Sequence, residues 1–180
     1  EIAHSIAKAL HLVLSSQDKR SLSNYPTANI EAYDYVLQGR QLFYQFQRTG
    51  FMRALKLFCH ATQLDPGYAS AYAWTANCYS FLYTWFDPSR DYLEAAETNS
   101  LKALGLNPDL GEGHVARGMV LYNQKEYEPA QEEFEKAIQL KPDLFEASYL
   151  YARLCFAQGQ FDKAARLAHQ AGRLRPEDYN

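Results

Sequence analysis

At 180 residues, 47% hydrophobic and 22% charged, the chain is long enough to bury a substantial core and ordinary in composition for a folded protein. Its net charge of -3 lacks the basic excess that nucleic-acid binding requires, and no apolar run approaches the length of a membrane span, so neither nucleic acid nor membrane is expected as a partner. Three scattered cysteines, Cys59, Cys78 and Cys155, argue against a disulfide framework and for a reducing, cytoplasmic setting.

The chain opens on "EIAHSIAKAL", without Met, and reads as a segment of a longer protein. Ile2, Ile6, Ala9, Leu10 and Val13 recur at helical spacing, with His4, Lys8, His11 and Ser15 on the other side, which predicts an amphipathic helix. "SSQDKRSL" adds a short helical turn, and "SNYPTAN" is a linker that offers Thr27 or Asn29 as the next N-cap. Residues 1–31 are therefore an N-terminal helix and linker.

A phrase of Leu, one polar residue and Pro then recurs at Pro66, Pro108, Pro142 and Pro176, and the last two spacings are both 34 residues. Such a period marks a helix–turn–helix repeat. Four units follow: 32–68, 69–110, 111–144 and 145–178. Small residues fall at repeat position 8 (Gly39, Ala76, Gly118, Ala152), at position 20 (Ala54, Ala96, Ala130, Ala164) and at position 27 (Ala61, Ala103, Ala137, Ala171). Two antiparallel helices approach closely only where small side chains meet at the crossing, and larger ones fill the space around it. The prolines end each second helix, while Pro129 sits harmlessly in a first turn.

The first unit is three residues longer than standard, and the second carries eight extra residues around "SFLYTWFDPSRDY". This stretch predicts a first helix running on to about Phe86, with Asp87 capping the next helix and Pro88 in its first turn. Phe81, Leu82, Trp85 and Phe86 would pack along the lengthened pair. The alternative is that Tyr83 or Trp85 projects as an interface anchor.

In period and small-residue positions the chain resembles the tetratricopeptide repeat. With its "IA..IA..L" opening and "PTANIEAYDYVLQGR" phrase, it resembles more narrowly the arrays of bacterial multidomain signalling proteins: class III adenylate or guanylate cyclases, Ser/Thr kinases and winged-helix regulators. The resemblance implies an all-α, right-handed solenoid of four repeats preceded by a helix. It also implies a protein-binding, regulatory part of a larger protein such as an adenylate cyclase, whose effector lies before Glu1.

In such arrays the concave face is lined by first-helix positions 2, 5, 9, 12 and 13. The resemblance thus implies a peptide groove using Tyr33, Arg40 and Phe43 in the first repeat and Asn77 in the second. Met119 and Tyr122 follow in the third, with Tyr149, Arg153 and Phe156 in the fourth. Aromatic walls and two arginines suit a peptide with apolar side chains and a carboxylate. No position 5 is basic, so the clamp that grips chaperone tails is absent. Leu167, Ala168, Ala171 and Leu174 are expected to leave apolar surface at the C-terminal end, covered either by a continuation of the parent chain or by another molecule, so Leu167 and Leu174 join Tyr83 and Trp85 as candidate interface residues.

Catalysis finds no support. His4, His11, His60, His114 and His169 make no metal-binding pattern, and no phosphate-binding glycine loop occurs, so no metal or cofactor is expected. His114 falls at a packing position, and Glu133 is expected to pair with Lys136 on a solvated face. The residues point to a non-catalytic module for a protein or peptide ligand, with self-association as a homodimer the alternative.

Overall fold

The computed structural model describes residues 26–174. The expected N-terminal helix, and Pro176 with the end of the fourth repeat, lie outside them. The described residues are built of helices: α1 (Ile30–Phe43), α2 (Arg48–Leu64), α3 (Ala69–Trp85), α4 (Arg90–Leu106), α5 (Gly111–Asn123), α6 (Tyr127–Leu140), α7 (Phe145–Ala157) and α8 (Phe161–Leu174). Each odd-numbered helix packs against the even-numbered one that follows it, and each pair stacks on the next. The result is an all-α helical repeat array.

Local chemistry sets the joints. Asn29 caps α1, its side chain accepting from the Ala32 N–H at 3.0 Å, while Thr27 accepts from the Asn29 N–H. Between pairs the same turn recurs. The N–H groups of Tyr68, Leu110 and Leu144 donate to the carbonyls of Asp65, Asn107 and Lys141 across Pro66, Pro108 and Pro142. Within pairs, Phe46, Lys125 and Gly159 adopt positive φ, all three at repeat position 15, and reverse the chain.

The second repeat does not turn there. Its α3 runs 17 residues against 13 in α5, and α4 runs 17 against 14 in α6, so the extra residues lengthen both helices and only slightly the loop. The cap of α4 is Ser89, not Asp87, and Pro88 lies ahead of the helix. The Asp87 N–H bonds back to the Leu82 carbonyl at 2.9 Å, so Asp87 finishes α3 instead of starting α4.

The crossing constraint is visible in atomic terms. A Cβ built on Gly118 would lie 2.7 Å from the Phe134 ring, and one on Gly39 would clash with the Phe58 ring in the same way. Phe58 and Phe134 are fully buried, both at repeat position 24. Where position 8 is Ala instead, position 24 shrinks to Ser100 or Ala168.

Gly118→Ala should therefore destabilise. Overpacking costs roughly 1–3 kcal/mol, more than the ~1 kcal/mol of helix propensity that Ala supplies. In a Phe134→Ala background the same change should become neutral or stabilising. Gly159→Ala meets open space but holds φ at 75°, so it should cost about 1 kcal/mol in either background. Denaturant melts of the single and double variants separate the two causes.

Candidate functional site

The concave face is largely filled by the chain's own side chains. Phe43, Asn77 and Met119 are at most 2% exposed, so they form a floor beneath the surface and not a wall open to a ligand. Over Phe43 lies Trp74, at first-helix position 6. Its ring lies 5.2 Å from Phe43, 6.0 Å from Tyr44 and 6.1 Å from Phe58. The Arg40 guanidinium covers it at 4.9 Å. Tyr33 is half-buried at the margin.

The first repeat also reaches the fourth. The Tyr44 hydroxyl donates to the carboxylate of Glu146, a residue only 5% exposed. A nearby buried carboxylate, Glu112, accepts from Lys141 Nζ at 2.7 Å. Farther along, the Arg153 guanidinium sits 4.8 Å above the Trp85 ring, which itself lies 4.4 Å from Phe81. "SFLYTWFDPSRDY" is thus divided: Phe81 and Leu82 are core, Tyr83 is half-buried, and Trp85 and Phe86 are partly exposed.

An open apolar groove of about 610 Å³ remains at the C-terminal end, between α7 and α8. It gathers Tyr122, Tyr149, Arg153 and Phe156, four residues of the expected groove, and adds Phe161 over a floor of alanines that includes Ala152, Ala164 and Ala168. Phe156 and Phe161 are 66% and 62% exposed and meet edge to face at 5.5 Å. Their counterparts one repeat earlier, Tyr122 and Tyr127, are half-buried and pack on the core. Phe161 was not anticipated as a site residue, although it shares repeat position 17 with Phe51 and Tyr127.

The apolar surface expected at this end is displaced. Ala171 is fully buried, Leu167 packs on the core and Leu174 is half-buried, and the exposed large apolar side chains of α7 and α8 are Phe156 and Phe161 instead. Glu133 turns from Lys136 to His114, whose ring bridges it at 2.6 Å and the Pro108 carbonyl at 2.8 Å. His114 thus ties α5 to α6 and to the preceding turn. Among the described residues no three His, Cys, Asp or Glu side chains gather as a metal site. Burial pushes the Cys78 thiol well up, which suits a packing role. No helix among them is long and apolar enough to cross a membrane.

Residues 102–179 match the tetratricopeptide repeat family model. The chain is 25% identical over 123 residues to a Rhizobium meliloti protein named "Putative adenylate cyclase 3", a match covering 67% of this chain and 21% of that one. It thus spans about a fifth of that relative's length. Among solved structures it resembles the first tetratricopeptide domain of Spaghetti (RPAP3) bound to the HSP90 peptide SRMEEVD, with a TM-score of 0.56 at 20% identity over 74% of this chain and 99% of that one. A tetratricopeptide protein of Thermus thermophilus gives 0.55 at 21% identity, over 82% and 93%. Pseudomonas aeruginosa pilF gives 0.57 at 22%, over 81% and 62%.

The buried phenols make a pH dependence. Desolvation first, then Glu146, raises the pKa of Tyr44, and desolvation first, then the Glu135 hydrogen bond, raises that of Tyr151. Tyr68 is raised in the same direction, chiefly by burial. The unfolded chain releases these protons near the usual phenol value of about 10, while the folded chain holds them. Their contribution is therefore fully present below pH ~10 and is lost as pH rises toward the folded values. Thermal melts between pH 8 and 11 should show stability falling above about pH 10, and Tyr44→Phe with Tyr151→Phe should flatten that fall.

Proposed function

We propose that this chain, an array of tetratricopeptide repeats, is a non-catalytic protein-binding module that takes a peptide segment of its partner in the groove between α7 and α8. The carrying observation is that Tyr122, Tyr149, Arg153 and Phe156 converge there with the exposed Phe161 around an open apolar volume of about 610 Å³. Concave apolar clefts with a few placed polar groups are the usual ligand seats. The Spaghetti domain, with its bound HSP90 peptide, supports peptide capture by this architecture. Val36, Ala73, Val115 and Tyr149 at position 5 give no cationic clamp for an acidic C-terminal tail, so the ligand differs.

The likeness to the Rhizobium meliloti protein supports a place as the regulatory array of a bacterial signalling protein such as an adenylate cyclase. Such a protein would hold the module in the cytoplasm, where Cys59, Cys78 and Cys155 stay as thiols. Self-association is the second reading. It is favoured by the exposure of Phe156 and Phe161 and by the half-exposed Trp85.

Two measurements test this. A fluorescent 15-residue peptide array probed with the wild-type chain should yield apolar binders, and Phe156→Asp should weaken each of them at least tenfold. Binders indifferent to that change would overturn the groove assignment. Light scattering over a concentration series should give a monomer throughout. A concentration-dependent dimer, abolished by Phe156→Asp, would establish the second reading in its place.

A further inference from the structure

We propose that α1 is a lid on the concave face, pinned shut where its capping residue Tyr44 meets Glu146 of the fourth repeat, and that release of this bond opens the face over Trp74.

The lid is held across the array by side chains and not by helix packing. α1 packs on α2 and more lightly on α3, and no helix of the first repeat packs on a helix of the third or fourth. In a repeat array each unit touches mainly its neighbours, and small rotations at the joints add up along it. A bond between the first and fourth repeats therefore acts with the leverage of three joints. Tyr44, the C-cap of α1, donates to Glu146 across that span. The Arg153 stack on Trp85 ties the fourth repeat to the second and does not hold the first. Under the lid lies Trp74, which is 1% exposed. Its ring is covered by the Tyr44 ring at 6.0 Å and by the Arg40 guanidinium, one turn earlier on α1, at 4.9 Å.

Two observations show that the closed form is held against a standing cost. The first is charge. Glu146 is a nearly buried carboxylate, which is unfavourable unless donors hold it. Burial lowers the pKa of the Arg40 guanidinium, but Tyr44, Glu146 and Glu112 outweigh it and keep it above its usual value. Without the phenol, Glu146 loses its hydrogen-bond donor on the lid, and opening gives it water instead. The second is a set of unpaired polar atoms on α3. Trp74 Nε1, Asn77 Oδ1 and Ser80 Oγ are buried with no hydrogen-bond partner among the described residues. Asn77 and Ser80 stand at first-helix positions 9 and 12, which line the concave face. A buried polar group without a partner costs stability. An open face lets water reach these groups, so opening recovers part of what the closed packing loses.

The test uses the 180-residue chain carrying Trp85→Phe, which leaves Trp74 as the one tryptophan of the two. Acrylamide quenching then reads the cover over Trp74. Tyr44→Phe and Glu146→Ala should each raise quenching at least twofold, with the far-ultraviolet circular dichroism unchanged. Glu146→Gln, which keeps an acceptor for the phenol, should stay near the parent. Lys141→Met breaks the neighbouring pair with Glu112 and leaves Tyr44 and Glu146 in place, so it should also stay near the parent. Spin labels on Gln41→Cys and His169→Cys, both exposed positions, in a Cys59→Ser background should move apart in Tyr44→Phe and in Glu146→Ala. If one of these two variants fails to fold, the other carries the test. Quenching left at the parent value would overturn the lid, because apolar packing alone would then close the face. A rise in quenching with no change in label separation would overturn it as well, since only the surroundings of Trp74 would have loosened. An equal rise in Lys141→Met would overturn the assignment of the pin to Tyr44 and Glu146.

Discussion

The close crossing of the two helices in each pair is the constraint on which the array depends. Gly39 and Gly118 have no room for a Cβ because Phe58 and Phe134 press against them. Glycine inside a helix is unfavourable by roughly 0.5–1 kcal/mol relative to alanine, so its place there needs a return. The return is a large ring held at the crossing and turned to meet the next helix. Where position 8 is Ala76 or Ala152, the opposing residue is Ser100 or Ala168 and no ring can be carried. One pair of positions thus governs both the packing within a repeat and the surface it offers to whatever follows.

The same trade explains why the centre of the array is sealed. Phe58 passes its ring to Trp74, and Trp74 fills the concave side against Phe43 and Tyr44. With that volume occupied, Tyr44 lies close enough to the fourth repeat to donate to Glu146. A carboxylate 5% exposed would be costly without such a donor. Seal and latch support one another, and together they remove much of the expected peptide groove. Ser100 likewise carries no ring, yet the third repeat packs over it; at α8, where no further helix is described, the space between α7 and α8 is open.

The periodic features were the legible ones. Proline spacing located the joints, and the small residues at positions 8, 20 and 27 located the crossings, because both reflect contacts within one repeat or between neighbours. The lengthened second repeat could be counted but not divided between helices and loop, since Asp87 and Ser89 are both competent caps. The Asp87 N–H bonds back to the Leu82 carbonyl, and Ser89 is left as the cap of α4. What could not be read were contacts across many repeats. Tyr44 and Glu146 are 102 positions apart, and whether they meet depends on small rotations accumulated from repeat to repeat. Phe43 is buried by rings of its own and the next repeat, Phe51, Trp74 and Phe81, whereas Tyr122, Tyr149, Arg153 and Phe156 came together as neighbours in adjacent repeats.

The groove at the end of the sealed array is lined almost wholly by apolar side chains, and Arg153 is the one charged residue among those that line it. In such a module, Arg153 has two duties. Its guanidinium face lies on Trp85, holding the second repeat to the fourth, and the same side chain borders the groove. A ligand that displaced the Arg153 side chain would have to give up its stack on Trp85.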